Sequence, residues 1–190
     1  MDQPPNTFRI GLLNTGGIPV DATNLKTTIL RQYITKVRPD AIALTETNVH
    51  WKNVAVQGRL PEGTLGWWES LNLNTAYYEE YNAGSSFQPG EVSLWSINKA
   101  AHRVMEKGVD PRGLGRWAWT RYKGRDGVAL RVVAAYRPVL NKEGIMSVWS
   151  QQRSFFNDRN EDRCPRDLFT ADLCQEIESG WSRATNWSSG

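Results

Sequence analysis

Three polar side chains stand where apolar runs stop: Asn14 after Phe8-Arg9-Ile10-Gly11-Leu12-Leu13, Glu46 after Ala41-Ile42-Ala43-Leu44-Thr45, and Tyr136 after Val128-Ala129-Leu130-Arg131-Val132-Val133-Ala134-Ala135. The run before Glu46 is of the kind that burial on both sheet faces produces. Ligands of layered α/β sheets collect beyond the carboxyl ends of strands, so Glu46 is placed where a metal or a substrate would sit. A lone glutamate after a strand is also an ordinary solvated loop residue, and on this stretch alone both readings stand.

The elements that must position these groups are legible in outline. Leu25, Ile29, Tyr33 and Val37 recur every four residues, the spacing that lines one helix face. Asn24 supplies an N-cap and Arg38-Pro39 a stop. Strand, helix and strand therefore form a β-α-β unit, whose crossover makes the strands parallel and right-handed and brings Asn14 and Glu46 out at the same edge. Pro138 ends the strand before Tyr136. Residues 90–97 alternate as a strand, and residues 51–90 read as long connections around one or two short strands, with Trp67-Trp68 and Tyr77-Tyr78 as apolar islands. Lys123-Gly124-Arg125-Asp126-Gly127 reads as a tight hairpin turn of Asp-Gly type. Pro165 to Ile177 reads as a helix, and residues 179–190 as an irregular tail.

In this order, Leu12-Leu13-Asn14, Leu44-Thr45-Glu46-Thr47 and Ala135-Tyr136-Arg137-Pro138 resemble the "W-N", "L-Q-E-T" and "Y-x-P" elements of the endonuclease/exonuclease/phosphatase superfamily. Leu114-Gly115-Arg116-Trp117 resembles the branch associated with retroelement reverse transcriptases. The resemblance spans residues 6–178 and implies a four-layer α/β sandwich with a Mg²⁺-assisted phosphodiester-cleaving site at one rim. By the same resemblance Glu46 binds the metal, Asn14 helps to order the metal site, and Tyr136 hydrogen-bonds near the scissile phosphate. The family's later "D-x-N" and "S-D-H" elements have no convincing counterpart, which implies a domain incomplete at its C-terminus and weakly active or inactive. Asp158-Arg159-Asn160 matches the first of them literally, but it lies in a polar run with no strand before it. The general base belongs to those missing elements. His50 reads as a solvated loop residue and His102 as structural. One carboxylate and one amide are few ligands for a cation that gives up water reluctantly, so Mg²⁺ binding is expected to be weak, on the order of millimolar.

The second reading is a non-catalytic nucleic-acid-binding or interaction fragment. The chain has 190 residues and a net charge of +3, yet residues 99–137 hold ten Lys and Arg against three acids, a local +7 that leaves −4 elsewhere. Arg116, Arg121 and Lys123, with Trp117, Trp119 and Tyr122 between them, suit phosphate attraction and base stacking; a solvated hairpin face has the same composition. If the C-terminal strands are missing, the sheet face carrying Val92, Leu94, Val132 and Ala134 is left uncovered and invites self-association.

The length suits one domain. No segment approaches the roughly 20 apolar residues of a membrane span, and Met1-Asp2-Gln3-Pro4-Pro5-Asn6 lacks the regions of a signal peptide, so an intracellular protein of cytoplasm or nucleus is expected. Cys164 and Cys174, if a helix covers most of the interval, lie roughly 13–15 Å apart, beyond disulfide reach. No G-x-G-x-x-G, Walker or G-x-S-x-G motif occurs.

Overall fold

The computed structural model describes residues 7–19, 24–54, 68–80, 87–141 and 147–185, with side chains as far as residue 180. The N-terminal hexapeptide, Trp67 and residues 186–190 of the expected tail lie outside the described residues. The elements are β1 (Ile10–Asn14), α1 (Leu25–Val37), β2 (Ala41–Thr45), β3 (Leu71–Ala76), β4 (Val92–Ile97), β5 (Val104–Val109), β6 (Trp117–Lys123), β7 (Ala129–Ala135), α2 (Val148–Asn157) and α3 (Pro165–Thr185). Residues to Tyr136 form one compact unit and residues from Arg137 a second.

In the first unit the strands form two sheets, ordered β1-β2-β4-β3 and β5-β6-β7. The first two strands are parallel, with Asn14 opposite Thr45, as the crossover requires. Alanines make the inner faces flat: Ala41, Ala43, Val92 and Leu94 of one sheet pack with Ala118, Tyr122, Val132 and Ala134 of the other in a single buried cluster. The expected bare face is thus absent. Val92, Leu94, Val132 and Ala134 are all buried, because the 5–7 hairpin sheet closes over the inner face of β2, β3 and β4. Polar ties cross the same interface. Asn74 of β3 donates to the carbonyls of Gly108 at 2.9 Å and Trp119 at 2.8 Å, and Tyr122 shares a 2.7 Å hydrogen bond with Ser96. A side chain at Gly108 would strike the Trp119 ring, whose atoms lie 2.6 Å from where its Cβ would be.

The outer face of the first sheet carries Ile42, Leu44, Trp95 and Ile97 against Leu30 and Ile34 of α1. All five residues of β2 are buried, the cause of its unbroken apolar run. β4 is likewise buried throughout, so its serines point into the protein, Ser93 Oγ accepting from Trp95 Nε1 at 2.8 Å. The helix has its expected bounds, with Asn24 Oδ1 accepting from the Lys26 amide at 2.9 Å and Arg38 left-handed at the C-cap. Its buried face differs from the expected one. Thr27, Leu30 and Ile34 are buried, whereas Leu25, Ile29 and Tyr33 are 73%, 54% and 40% exposed.

In the hairpin, Asp126 (φ 53°) and Gly127 (φ 76°) are both left-handed, the conformation an Asp-Gly turn uses to match strand twist. In the second unit, Ser147 caps α2, and residues 158–160 form the turn after it. The literal Asp-x-Asn match is therefore no strand end. The last helix runs to Thr185, so the segment expected to be irregular from 179 is helical through 185. Cys164 and Cys174 are both free thiols. No helix among the described residues is long and apolar enough to cross a membrane.

Candidate functional site

The carboxyl ends of β1 and β2 are stitched together by the segment that follows each strand. Asn14 turns its side chain back to accept from the Gly16 amide at 3.0 Å. Thr15 donates its amide to the Thr45 carbonyl at 2.9 Å and its hydroxyl to the Glu46 carbonyl at 2.8 Å. The Gly17 amide reaches the same Glu46 carbonyl at 2.7 Å, and the Ile18 amide reaches that of Thr47 at 2.8 Å. Gly16 (φ 53°) and Gly17 (φ 95°) both stand in the left-handed region, where glycine alone enters without cost. Glu46 itself has φ 52° and Asn48 φ 57°. Non-glycine residues held there cost on the order of 1–3 kcal/mol each and persist where their surroundings over-determine them.

Tyr136 enters from the other sheet. Its amide donates to the Arg116 carbonyl at 2.8 Å, extending the β6–β7 ladder by one residue, and its hydroxyl hydrogen-bonds the Glu46 carboxylate. Burial, then the hydrogen bond to Glu46 and the charge of that carboxylate, push the phenol up to about 12. It is therefore a hydrogen-bond donor at any physiological pH. Glu46 and Tyr136, 90 positions apart in the chain, are thus in contact. Asn14 sits on the adjoining strand end, opposite the residue before Glu46.

The oxygens that the sequence reading offers to a cation are one carboxylate, Glu46, and one amide, Asn14, whose Oδ1 already accepts from the Gly16 amide. Among the described residues no three His, Cys, Asp or Glu side chains gather as a metal site. Hard oxygens of this kind fit a cation that keeps most of its waters and completes its shell with substrate phosphates, and they do not fit a closed structural site.

Other sequence expectations land elsewhere. Arg116 is fully buried, its Nε and Nη2 donating to the two Asp110 carboxylate oxygens at 2.6 and 2.8 Å, with the guanidinium over the Trp117 ring. That guanidinium holds the turn between β5 and β6 and is withdrawn from any phosphate. Trp117 and Tyr122 are core residues, and the Trp119 face is covered by Arg131 at 4.0 Å, so the imagined stack of free aromatics does not exist. Arg121 leans on Glu106 at 3.4 Å, and Lys123 is exposed. His50 is buried, edge-on to Tyr77, and burial lowers its pKa from the usual 6.5; the solvated histidine expected here is an interior one. His102 is exposed and pairs with Ser70 Oγ at 2.7 Å.

One residue of the site's surroundings escaped the sequence entirely. Glu91, at the start of β4, is 3% exposed, and burial raises its carboxyl well above the ordinary 4.5 against the opposing pull of hydrogen bonds from Thr47 and Val49. Its only sequence signal is a charged residue beside a glycine at the mouth of an apolar run, which many edge turns share.

No family model matches the chain, and no curated protein matches it by sequence. Solved structures do. A 3'-5' exonuclease from Neisseria meningitidis superposes with a TM-score of 0.53 at 15% identity over 93% of this chain and 54% of its own. The AP endonuclease LMAP from Leishmania major superposes with a TM-score of 0.51 at 15% identity over 84% of this chain and 49% of its own. The chain spans about half the length of these structures. The fold is the α/β sandwich of endonuclease/exonuclease/phosphatase type.

Proposed function

We propose that the chain carries the Glu46 side of a Mg²⁺-dependent phosphodiesterase or endonuclease site and by itself turns over weakly or not at all. The observation that supports this is the contact between the Glu46 carboxylate and the Tyr136 hydroxyl at the joined ends of two strands, in a fold whose similar structures are nucleases by name. When bound, Mg²⁺ would neutralise charge on the transferred phosphoryl group. Glu46 is the one carboxylate offered to the cation, with Asn14 at the end of the adjoining strand. Tyr136, protonated throughout the physiological range, donates; a substrate phosphate oxygen can take the donation that Glu46 now receives. Arg116 acts from inside, its carbonyl fixing the Tyr136 backbone. Activation of the attacking water requires a general base, and no described residue stands in that role beside Glu46. Nucleic acid is the substrate class favoured, with Arg121 and Lys123 the cations of the expected trio that remain near solvent. The likeness to the retroelement branch rests on residues 114–117 alone.

The test is plasmid nicking by the purified chain with and without Mg²⁺, beside Glu46→Gln and Tyr136→Phe. The expected result is cleavage at or barely above background, with any Mg²⁺-dependent part lost in both variants. Robust nicking that survives Glu46→Gln would remove Glu46 from the chemistry.

A further inference from the structure

The turn after β2 is held from behind. Glu46 and Asn48 face Gly90 (φ 96°) and Glu91 (φ 71°), so two neighbouring segments each carry two residues in the left-handed region. Backbone bonds join them: the Glu46 amide donates to the Glu91 carbonyl at 3.0 Å, and the Asn48 amide to the Gly90 carbonyl at 3.2 Å. Asn48 Oδ1 accepts from the Gly90 amide at 2.8 Å. Glu91 adds its side chain. Its Oε2 accepts from the Thr47 hydroxyl at 2.8 Å and from the Val49 amide at 2.9 Å.

Glu91 therefore holds Glu46 through its carbonyl and Thr47 and Val49 through one carboxyl oxygen, while Gly90 holds Asn48 between them. From the front, Thr15 and Gly17 occupy the Glu46 carbonyl. Both backbone polar groups of Glu46 are thus bonded, and its remaining polar group is the carboxylate that meets Tyr136. A buried acid is a costly choice for packing alone, and the second oxygen, Oε1, is buried without a hydrogen-bond partner. What the position demands is an acceptor at Oε2.

We propose that Glu91 is the positioning residue of the Glu46 site: its carboxyl pins Thr47 and Val49, its carbonyl pins Glu46, and together they hold the Glu46 carboxylate against the hydroxyl of Tyr136. The consequence for metal binding rests on the phosphodiesterase reading above; the backbone consequence does not.

The test uses the full chain, ¹⁵N-labelled, with two readouts: hydrogen-exchange protection of the Glu46 and Val49 amides, and Mn²⁺ affinity by water-proton relaxation. The variants are Glu91→Ala, Glu91→Gln and Thr47→Val, with Ile34→Val as a core change remote from the turn. Loss of a group that orients a ligand lowers metal affinity by roughly tenfold or more, and that is expected for Glu91→Ala, together with lost protection at the Val49 amide, whose acceptor the change removes, and a smaller loss at the Glu46 amide, whose acceptor is the retained backbone carbonyl. Glu91→Gln keeps an acceptor oxygen and should restore both readouts to within about twofold of the parent by the same scale. Thr47→Val should fall between, and Ile34→Val should leave Mn²⁺ affinity unchanged. Parent-like amide protection and affinity in Glu91→Ala would overturn the proposal. So would Glu91→Gln behaving like Glu91→Ala, or Ile34→Val weakening Mn²⁺ equally. If the parent binds no Mn²⁺ that Glu46→Gln abolishes, the phosphodiesterase reading fails and the amides alone decide the role of Glu91. If Glu91→Ala does not fold, Thr47→Val decides by the same readouts.

Discussion

Burial acts in opposite senses on two ionisable groups near the site, and stability should record both. The folded chain holds the Glu91 proton more tightly than the unfolded chain, whose carboxyl titrates near 4.5. Above that pH the unfolded state loses its proton first, so the stabilisation is complete below the unfolded value and is lost as pH rises through the folded one. His50 runs the other way. Its depressed pKa means that the unfolded chain takes up a proton first as pH falls below 6.5, so its contribution is present above that value and lost in acid. Denaturant melts at a series of pH values should therefore show Glu91→Gln flattening the decline on the alkaline side while leaving the acid limb, which His50 carries, in place. A parent and variant whose stabilities decline in parallel from pH 5 to pH 8 would remove Glu91 as the source. The residue-scale chemistry was legible only in part. Glu46 and Tyr136 announced themselves by closing apolar runs, whereas Glu91 and Arg116 are charged residues whose burial depends on partners, Thr47 and Asp110, that no local pattern identifies.

At the scale of elements, α1 separates what periodicity can show from what it cannot. Its bounds were legible because the cap and the Arg38-Pro39 stop are local. Its orientation was not, since Leu25-Ile29-Tyr33 and Leu30-Ile34 both offer apolar stripes, and only contact with Ile42, Leu44 and Trp95 selects the second. Truncation should report the difference. Ile34→Ala removes a buried side chain, 1% exposed, and is expected to cost about 2–5 kcal/mol. Ile29→Ala, at 54% exposure, should change stability by about 0.5 kcal/mol or less. Urea titrations of the two variants settle the matter, and equal losses would mean that the exposed stripe is packed in solution. Strands followed the same rule. β2 was readable because burial on both faces leaves a continuous apolar signature, while β3 alternates Leu71-Asn72-Leu73-Asn74, a pattern that marks a short strand but does not show that Asn74 is buried to serve the opposite sheet.

For the molecule as a whole, the mismatch between a four-stranded and a three-stranded sheet decides which surface stays apolar. The second sheet reaches β2 through β7 and leaves the inner side of β1 open. Ile10 and Leu12 stand in register with Ala41 and Ala43, which are buried between the sheets, yet they are themselves 51% and 69% exposed. Among the described residues β1 has β2 as its single strand neighbour, so an unpaired backbone edge lies beside the two apolar side chains. Exposed apolar surface on an open edge is a template for pairing with another chain. Self-association is therefore expected through β1 and not through the buried face of β4 and β7. Light scattering after size exclusion should find the parent chain oligomeric at micromolar concentration and the double variant Ile10→Thr, Leu12→Lys shifted toward monomer. Because both positions are solvent-facing, the monomeric variant should retain its fold, with stability within about 0.5 kcal/mol for each change. A parent that elutes as a monomer, or an oligomer untouched by the two substitutions, would take β1 out of the interface.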